Sequence, residues 1–230
     1  MISASALGAA PLWVSIEGIN GVGKTSAARA VTAQLGERCL LLDELTDSGG
    51  TVLHGRIITA LSEHGDPFLR TGHPVAETLA LLALQLGKAE RLAGRDLTGV
   101  EVILEDRGLD SVAVYQAAIL RSEHPDSAPD RLADHLLSTF LRWRRFPDVT
   151  ILLTGDPKEC VRRFADRIGR ALTPADLHLL NQIDTLYRTA ADDLERYVQL
   201  DVAGMSQEET AGAVSEIVAA LMDRQAAHAS

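Results

Sequence analysis

The sequence predicts an α/β domain on a five-stranded parallel sheet with helices on both faces, and three observations carry that expectation. Short apolar runs of strand length recur at residues 12–17, 39–44, 100–105, 149–154 and 197–202. Helix-like stretches separate most of them, and the runs are apolar on both faces, as strands covered from two sides must be.

The first run, "LWVSIE", is followed by "GINGVGKT" and then by "SAARAVTAQL", which reads as a helix stopped by Gly36. The second run is "CLLLDE" and the third "VEVILE", which leads into "EDRGLDSVAVYQAA". After the fourth, "VTILLT", Pro157 and Pro174 each open a helix, since proline is tolerated in a first helical turn. The fifth, "YVQLDV", precedes "SQEETAGAVSEIVAALM", where Ser206 and Glu209 stand at capping-box spacing. No linker or internal repeat divides the chain. Residues 1–230 are therefore expected to form one domain, with flexible ends at 1–11 and 225–230.

Composition narrows the partners. With 22 Lys plus Arg against 32 Asp plus Glu, the net charge of −10 repels nucleic acid and anionic membranes and favours a small-molecule partner. The N-terminal segment has neither a basic start nor a long apolar core, and no run reaches 18 apolar residues, so neither export nor a membrane span is expected. Cys39 and Cys160 form no CxxC pair, which fits a reducing, cytoplasmic setting. The 7 histidines lack metal-ligand spacing, and no transition-metal site is expected.

"GINGVGKT" is a GxxxxGK[ST] loop between a strand and a helix. Gly18, Gly21 and Gly23, with Asn20 and Val22 between them, let the backbone wrap a polyphosphate with its N–H groups inward, at the positive end of the next helix. Lys24 reaches the β and γ phosphates, Ser26 follows in the first turn, and Thr25 offers a hydroxyl to Mg²⁺, the expected cofactor. The expected fold is thus that of a P-loop NTPase, binding ATP. No guanine-reading NKxD tetrapeptide follows a strand, which argues against a GTPase. Asp106 and Arg107 stand instead at the carboxyl end of a buried strand, where open α/β sheets bind ligands.

From these segments the chain resembles the thymidylate kinase family of nucleoside monophosphate kinases, nearly end to end. "EDRGLDSVAVYQ" is similar to the family's DRY segment. The likeness implies that Arg107 grips the acceptor's phosphate, that Asp106 helps order Mg²⁺, and that Ser111, Tyr115 and Gln116 face the acceptor's base and sugar. "LTDSGGTVLHGRIITALSEHGDPF" resembles the "REPGGT" loop and its following helix, with Asp47 where the family has Glu. "RFPDVTILLTGDPKECVRRFADRIGR" resembles its strand and arginine-bearing lid, and "YVQLDVAGMSQEETAGAVSEIV" its last strand and helix, near the adenine. The resemblance also implies a homodimer, for which the helices at 75–86 and 110–121 offer apolar faces.

A cationic lid also follows from the chemistry, because phosphoryl transfer spreads charge that a closing cation stabilises while excluding water. Arg162, Arg163, Arg167 and Arg170 supply four cations around Gly169, within an expected lid at 162–172. Of these, Arg162 is assigned to ATP and the other three to transfer. The alternative is that they solvate a helix face, paired with Asp156, Glu159 and Asp166. The "RWRRF" cluster at 142–146 reads as solvation of a helix end.

The acceptor side departs from the family. The run "ETLALLALQLGKAE" stands where the family reads like "ELLLFAADRAQ", so that Leu82 replaces a Phe that stacks on thymine and Leu86 replaces an Arg four residues later. Leucines at these spacings also suit a core face; the polar residues on the segment are then Gln85, Lys88 and Arg91. Phe68, Tyr115 and Tyr187 are the aromatics near site segments. Asn20 stands for Asp, Thr46-Asp47-Ser48 for Arg-Glu-Pro, and Gly108 for Tyr or Phe. Three readings stay open: a kinase of thymidylate or a modified pyrimidine nucleotide, a kinase of an uncharged nucleoside with Asp47 as base, and a nucleotide-binding regulator without transfer.

Overall fold

The computed structural model describes residues 10–42, 53–121 and 124–229. Five strands, β1 (Leu12–Glu17), β2 (Cys39–Leu42), β3 (Val102–Asp106), β4 (Val149–Thr154) and β5 (Tyr197–Asp201), form one sheet in the order β2-β3-β1-β4-β5. Every pairing is parallel, as the apolar runs require. β1 and β3 are wholly buried, β4 nearly so, and β5 is half exposed at the edge. β3 starts two residues later than the apolar run, because Gly99, at φ 80°, belongs to a turn in which Val100 N–H donates to the Leu97 carbonyl.

The helices are α1 (Lys24–Leu35), α2 (Leu53–Ser62), α3 (Pro74–Ala93), α4 (Leu109–Leu120), α5 (Pro129–Phe140), α6 (Pro157–Ile168), α7 (Pro174–Asp193) and α8 (Gln207–Ala229). α1 packs on α8, and α4 packs among α3, α5 and α7. Their boundaries follow local chemistry. Gly36, at φ 58°, ends α1. Asp156 caps α6 through the Lys158 N–H, and Gly169, at φ 69°, closes it. Thr173 and Asp176 form a capping box on α7, and Ser206 and Glu209 exchange the same pair of bonds before α8. Residues 1–9 lie outside the described residues; at the other end α8 remains helical to Ala229, through a segment expected to be flexible.

The central core joins both sheet faces to α1, α7 and α8, while a second cluster under α2–α5 includes Ile58, Leu81, Leu84, Leu109 and Phe140. One expectation changes here. All of α4 except Tyr115 is buried within the protomer, because three helices surround it, so it offers no outer face to a second copy. Of the two helices, α3 carries the outward apolar residues, Val75 and Leu79, 53% and 60% exposed. Among the described residues, no helix is long and apolar enough to cross a membrane.

Candidate active site

The glycine loop joins β1 to α1 and is fixed by close packing. Gly18 and Gly21 have φ 137° and 85°, and a Cβ on Gly21 would lie 2.0 Å from the Cys160 carbonyl oxygen on α6. Only glycine tolerates both the backbone and the approach. Val22 is buried in the core at 1% exposure and anchors the loop. Gly23, Lys24, Thr25 and Ser26 then begin α1, so their N–H groups sit at its positive end. Lys24 is buried, its ammonium donating to the Gly18 and Ile19 carbonyls at 2.8 and 2.7 Å.

A cavity of about 310 Å³ opens on this loop, lined by Gly21, Gly23, Lys24, Thr25 and Ser26, and by Arg107, Arg163, Asp166, Arg167 and Gln207 from other elements. A larger one of about 660 Å³ adjoins it. Its walls come from α3 (Leu81, Gln85), α4 (Ser111, Val112, Tyr115, Gln116), the 66–69 loop, α6 (Phe164, Arg167, Ile168) and α1 (Arg29). Thr25, Ser26, Arg107 and Arg167 line both. A phosphate bound in the first cavity therefore faces whatever occupies the second.

Arg107 sits at the junction. It follows β3, carries φ 60°, and donates its N–H to the Ile16 carbonyl at 3.3 Å. Left-handed backbone at a non-glycine residue costs about 1–3 kcal/mol and persists only where surrounding contacts hold it. Here the guanidinium donates to Asn20 Oδ1 and lies 5.3 Å from the centre of the Tyr115 ring, while Tyr115 OH donates to the same Asn20 oxygen at 2.8 Å. Asn20, expected at the ATP loop, thus orients the acceptor-side arginine. Gln116 Oε1 accepts from Thr78 Oγ1 at 2.8 Å.

Behind these residues lies a buried carboxylate that the sequence reading passed over. Glu17 accepts from Ser15 at 2.7 Å, the Gly108 N–H at 2.6 Å, Tyr187 OH at 3.0 Å, and Ser111. Burial, and then the charge of Asp110, push its carboxyl above the usual range against those bonds. Burial first, then the neighbouring Glu17, also raises the Tyr187 phenol well above its ordinary value. A carboxylate closing a fully buried strand was the available signal.

Asp106 ends β3 in register with Ile16, is 2% exposed, and its Oδ1 has no hydrogen-bond partner among the described residues. A buried carboxylate oxygen left unsatisfied beside a phosphate loop fits a cation. Thr25 lines both cavities, whereas Asp106 lies behind them and lines neither.

The arginines of α6 and of the turn after it occupy distinct positions. Arg167 lines both cavities, 5.2 Å over the Phe164 ring, and Arg163 lines the smaller while donating to Glu159 at 2.8 Å. Arg162 faces away, bound to Glu159 and Asp166 at 2.7 and 2.8 Å, and Arg170 donates to Asp176 at 3.4 Å; neither lines a cavity. The bonds from Arg162 and Arg163 hold the Glu159 carboxyl down at about 2.

On α3 the cavity wall is Leu81 and Gln85, not Leu82 or Leu86. Leu82 is half-buried and packs against the second core cluster, of which Leu81 is itself a buried member. One residue turns a helix by about 100°, so the pair four apart that faces the cavity is shifted back by one from the sequence reading. Asp47 lies outside the described residues. Sequence reasoning gave no role to Arg29, although it stands one turn after Thr25. The "RWRRF" cluster also differs from expectation: Arg144 is buried, ion-paired with Glu105, and 4.6 Å over the Trp13 ring, because β3 presents a carboxylate inward at that point.

Comparison with known proteins agrees with this geometry. A family profile described as "Thymidylate kinase" matches residues 16–211. A "Probable thymidylate kinase" of Methanospirillum hungatei is 26% identical over 83% of this chain and 85% of its own length. One from Halobacterium salinarum is 26% identical over 92% and 98%. A thymidylate kinase of Bifidobacterium longum subsp. infantis is 33% identical over 64% and 60%. The solved thymidylate kinase of Candida albicans shares the fold with a TM-score of 0.65 at 17% identity, over 91% of this chain and 92% of that one. A match running through the phosphate loop, both cavity walls and α6 makes this chain a member of the thymidylate kinase family, an ATP-dependent kinase of the dTMP-kinase type.

Proposed function

We propose that the chain moves the γ-phosphoryl of ATP onto the phosphate of a pyrimidine nucleoside monophosphate, thymidylate or a modified relative, held in the 660 Å³ cavity. The observation that carries this reading is the junction of the two cavities at Thr25, Ser26, Arg107 and Arg167. Arg107 grips the acceptor phosphate and Arg167 meets the charge that spreads over the moving group. An acceptor phosphate oxygen attacks the γ-phosphorus, the bond to the β-γ bridging oxygen breaks, and ADP leaves. Positioning and electrostatics suffice, with no covalent enzyme intermediate.

Thr25 and Asp106 would hold Mg²⁺, which when bound offsets charge on the β and γ phosphates. Lys24 turns from the loop carbonyls to those phosphates. The 66–69 loop and α6 close over the acceptor, with the lid at residues 162–172 supplying Arg163 and Arg167. Two buried, unpaired cysteines suit a cytoplasmic setting. A homodimer would use the outer face of α3, and light scattering at micromolar concentration tests it.

The neutral Leu81 and Gln85 wall favours a second reading, an uncharged nucleoside as acceptor. A panel of nucleosides and monophosphates, followed by ADP release, separates the two. Turnover of monophosphates with none of nucleosides supports the first; the reverse pattern overturns it, and ATP binding without any transfer would mark a regulator.

A further inference from the structure

Gly108 is wedged between two buried carboxylates. Its N–H donates to Glu17 Oε1 at 2.6 Å, and its carbonyl accepts from Gln85 Nε2 at 3.2 Å. A Cβ here would lie 2.8 Å from Ser15 Oγ, 3.1 Å from Glu105 Oε2 and 3.2 Å from Glu17 Oε1, which leaves no room for an aromatic side chain. Both hydrogen-bonding groups of the residue after the left-handed Arg107 are therefore held by buried side chains.

Gln85 is fully buried and is itself oriented. Arg144 donates to its Oε1 at 2.6 Å. Arg144 is in turn fixed by Glu105, which also pairs with Lys88 at 3.3 Å, and by the Trp13 ring. A guanidinium has donors only, so it selects the amide orientation that leaves Nε2 for Gly108. The flipped amide would set donor against donor at one end and carbonyl against carbonyl at the other. The opposing charges of Lys88 and Arg144 outweigh the burial that disfavours the Glu105 carboxylate, keeping this anchor ionised.

We propose that Arg144 is a positioning residue for the acceptor site, acting through Gln85 and Gly108 to hold the left-handed turn that aims Arg107 at the cavity junction. This rests on the acceptor reading above. It also joins two residues into one unit: glycine at 108 admits both carboxylates, and glutamine at 85 offers Arg144 an acceptor that a second cation could not.

The test is steady-state kinetics of full-length protein with ATP and the monophosphate it turns over best. Gln85→Met, of similar volume, should raise the acceptor KM about tenfold or more while ATP KM stays within about twofold. Gln85→Glu keeps an oxygen for Arg144 but turns another toward the Gly108 carbonyl, and should show the same selective loss. Arg144→Met should match it, with Arg144→Lys, which retains a donor, recovering a large part. If Arg144→Met does not fold, the Gln85 variants decide, since they leave the Arg144–Glu105 pair intact. A folded Gln85→Met enzyme with acceptor KM within about twofold of wild type, or with equal losses for ATP and acceptor, overturns the positioning role alone. A wild-type enzyme inactive on every monophosphate overturns the acceptor reading, and this proposal with it.

Discussion

The two sides of the site are built by different means. On the donor side, consecutive residues do the work: backbone N–H groups, three glycines and one lysine within Gly18–Lys24. On the acceptor side, the residue at the junction is aimed by side chains far away in sequence, with Asn20, Glu17, Gln85 and Arg144 drawn from four elements or loops. The first kind of site survives changes elsewhere in the chain. The second can be retuned by substitutions that never touch substrate.

The largest expected effect sharpens this contrast at its local end. Lys24→Ala should lower turnover by about a thousandfold or more, since it removes a cation whose work is concentrated in the transition state. Circular dichroism should still report a folded protein. Wild-type turnover in this variant would break the donor assignment.

Next in size is the division among the α6 arginines. Arg167→Ala should cost about ten- to a hundredfold in kcat, a lost charge-assisted contact, and Arg162→Ala less than about twofold, as for an exposed ion pair. Equal losses in the two would mean that α6 turns its other face to the nucleotide during the reaction.

A smaller effect is expected at Leu81. Leu81→Phe should raise kcat/KM for thymidine monophosphate by about two- to tenfold relative to its present value, the worth of ring stacking, less whatever overpacking costs. The same change at Leu82, which is half-buried against the second core cluster and lines no cavity, should instead leave acceptor preference unaltered. Opposite results for the two leucines would return the wall to the register read from sequence.

The smallest concerns Glu17. Its folded-state pKa is raised, so its contribution to stability is full below the unfolded value and falls away as pH rises through the folded one. Urea unfolding at pH 5 and pH 8 should therefore show wild type losing ground to Glu17→Gln as pH increases. A constant difference would mean that Glu17 keeps the same protonation in both states.

Much of this was legible in the sequence for a physical reason. Parallel strands buried on both faces must be continuous apolar runs, and four of the five begin at the residue where their run begins. The phosphate loop announces itself because its requirements are backbone requirements, met by glycines at fixed spacing. α3 was ambiguous because leucines fill it, and a row of leucines does not say which stripe faces a cavity. Arg144 was hidden because three arginines beside two aromatics look like a solvated patch, and its partners, Glu105 and Gln85, are 39 and 59 residues away. Buried ion pairs at such separations leave no periodic trace.

The contact between Gly21 and the Cys160 carbonyl reaches beyond the loop it fixes. It seats the first turn of α6 directly on the backbone that cradles phosphate, and Asp156 caps that turn through the Lys158 N–H. Phe164, 1% exposed in the core, pins the same helix again before Arg167, so α6 spans the two cavities as a short rigid segment held at both. Nucleotide bound in the loop would thus press on one end of a rigid segment whose other end carries Arg167, and filling the first cavity would be felt at the mouth of the second.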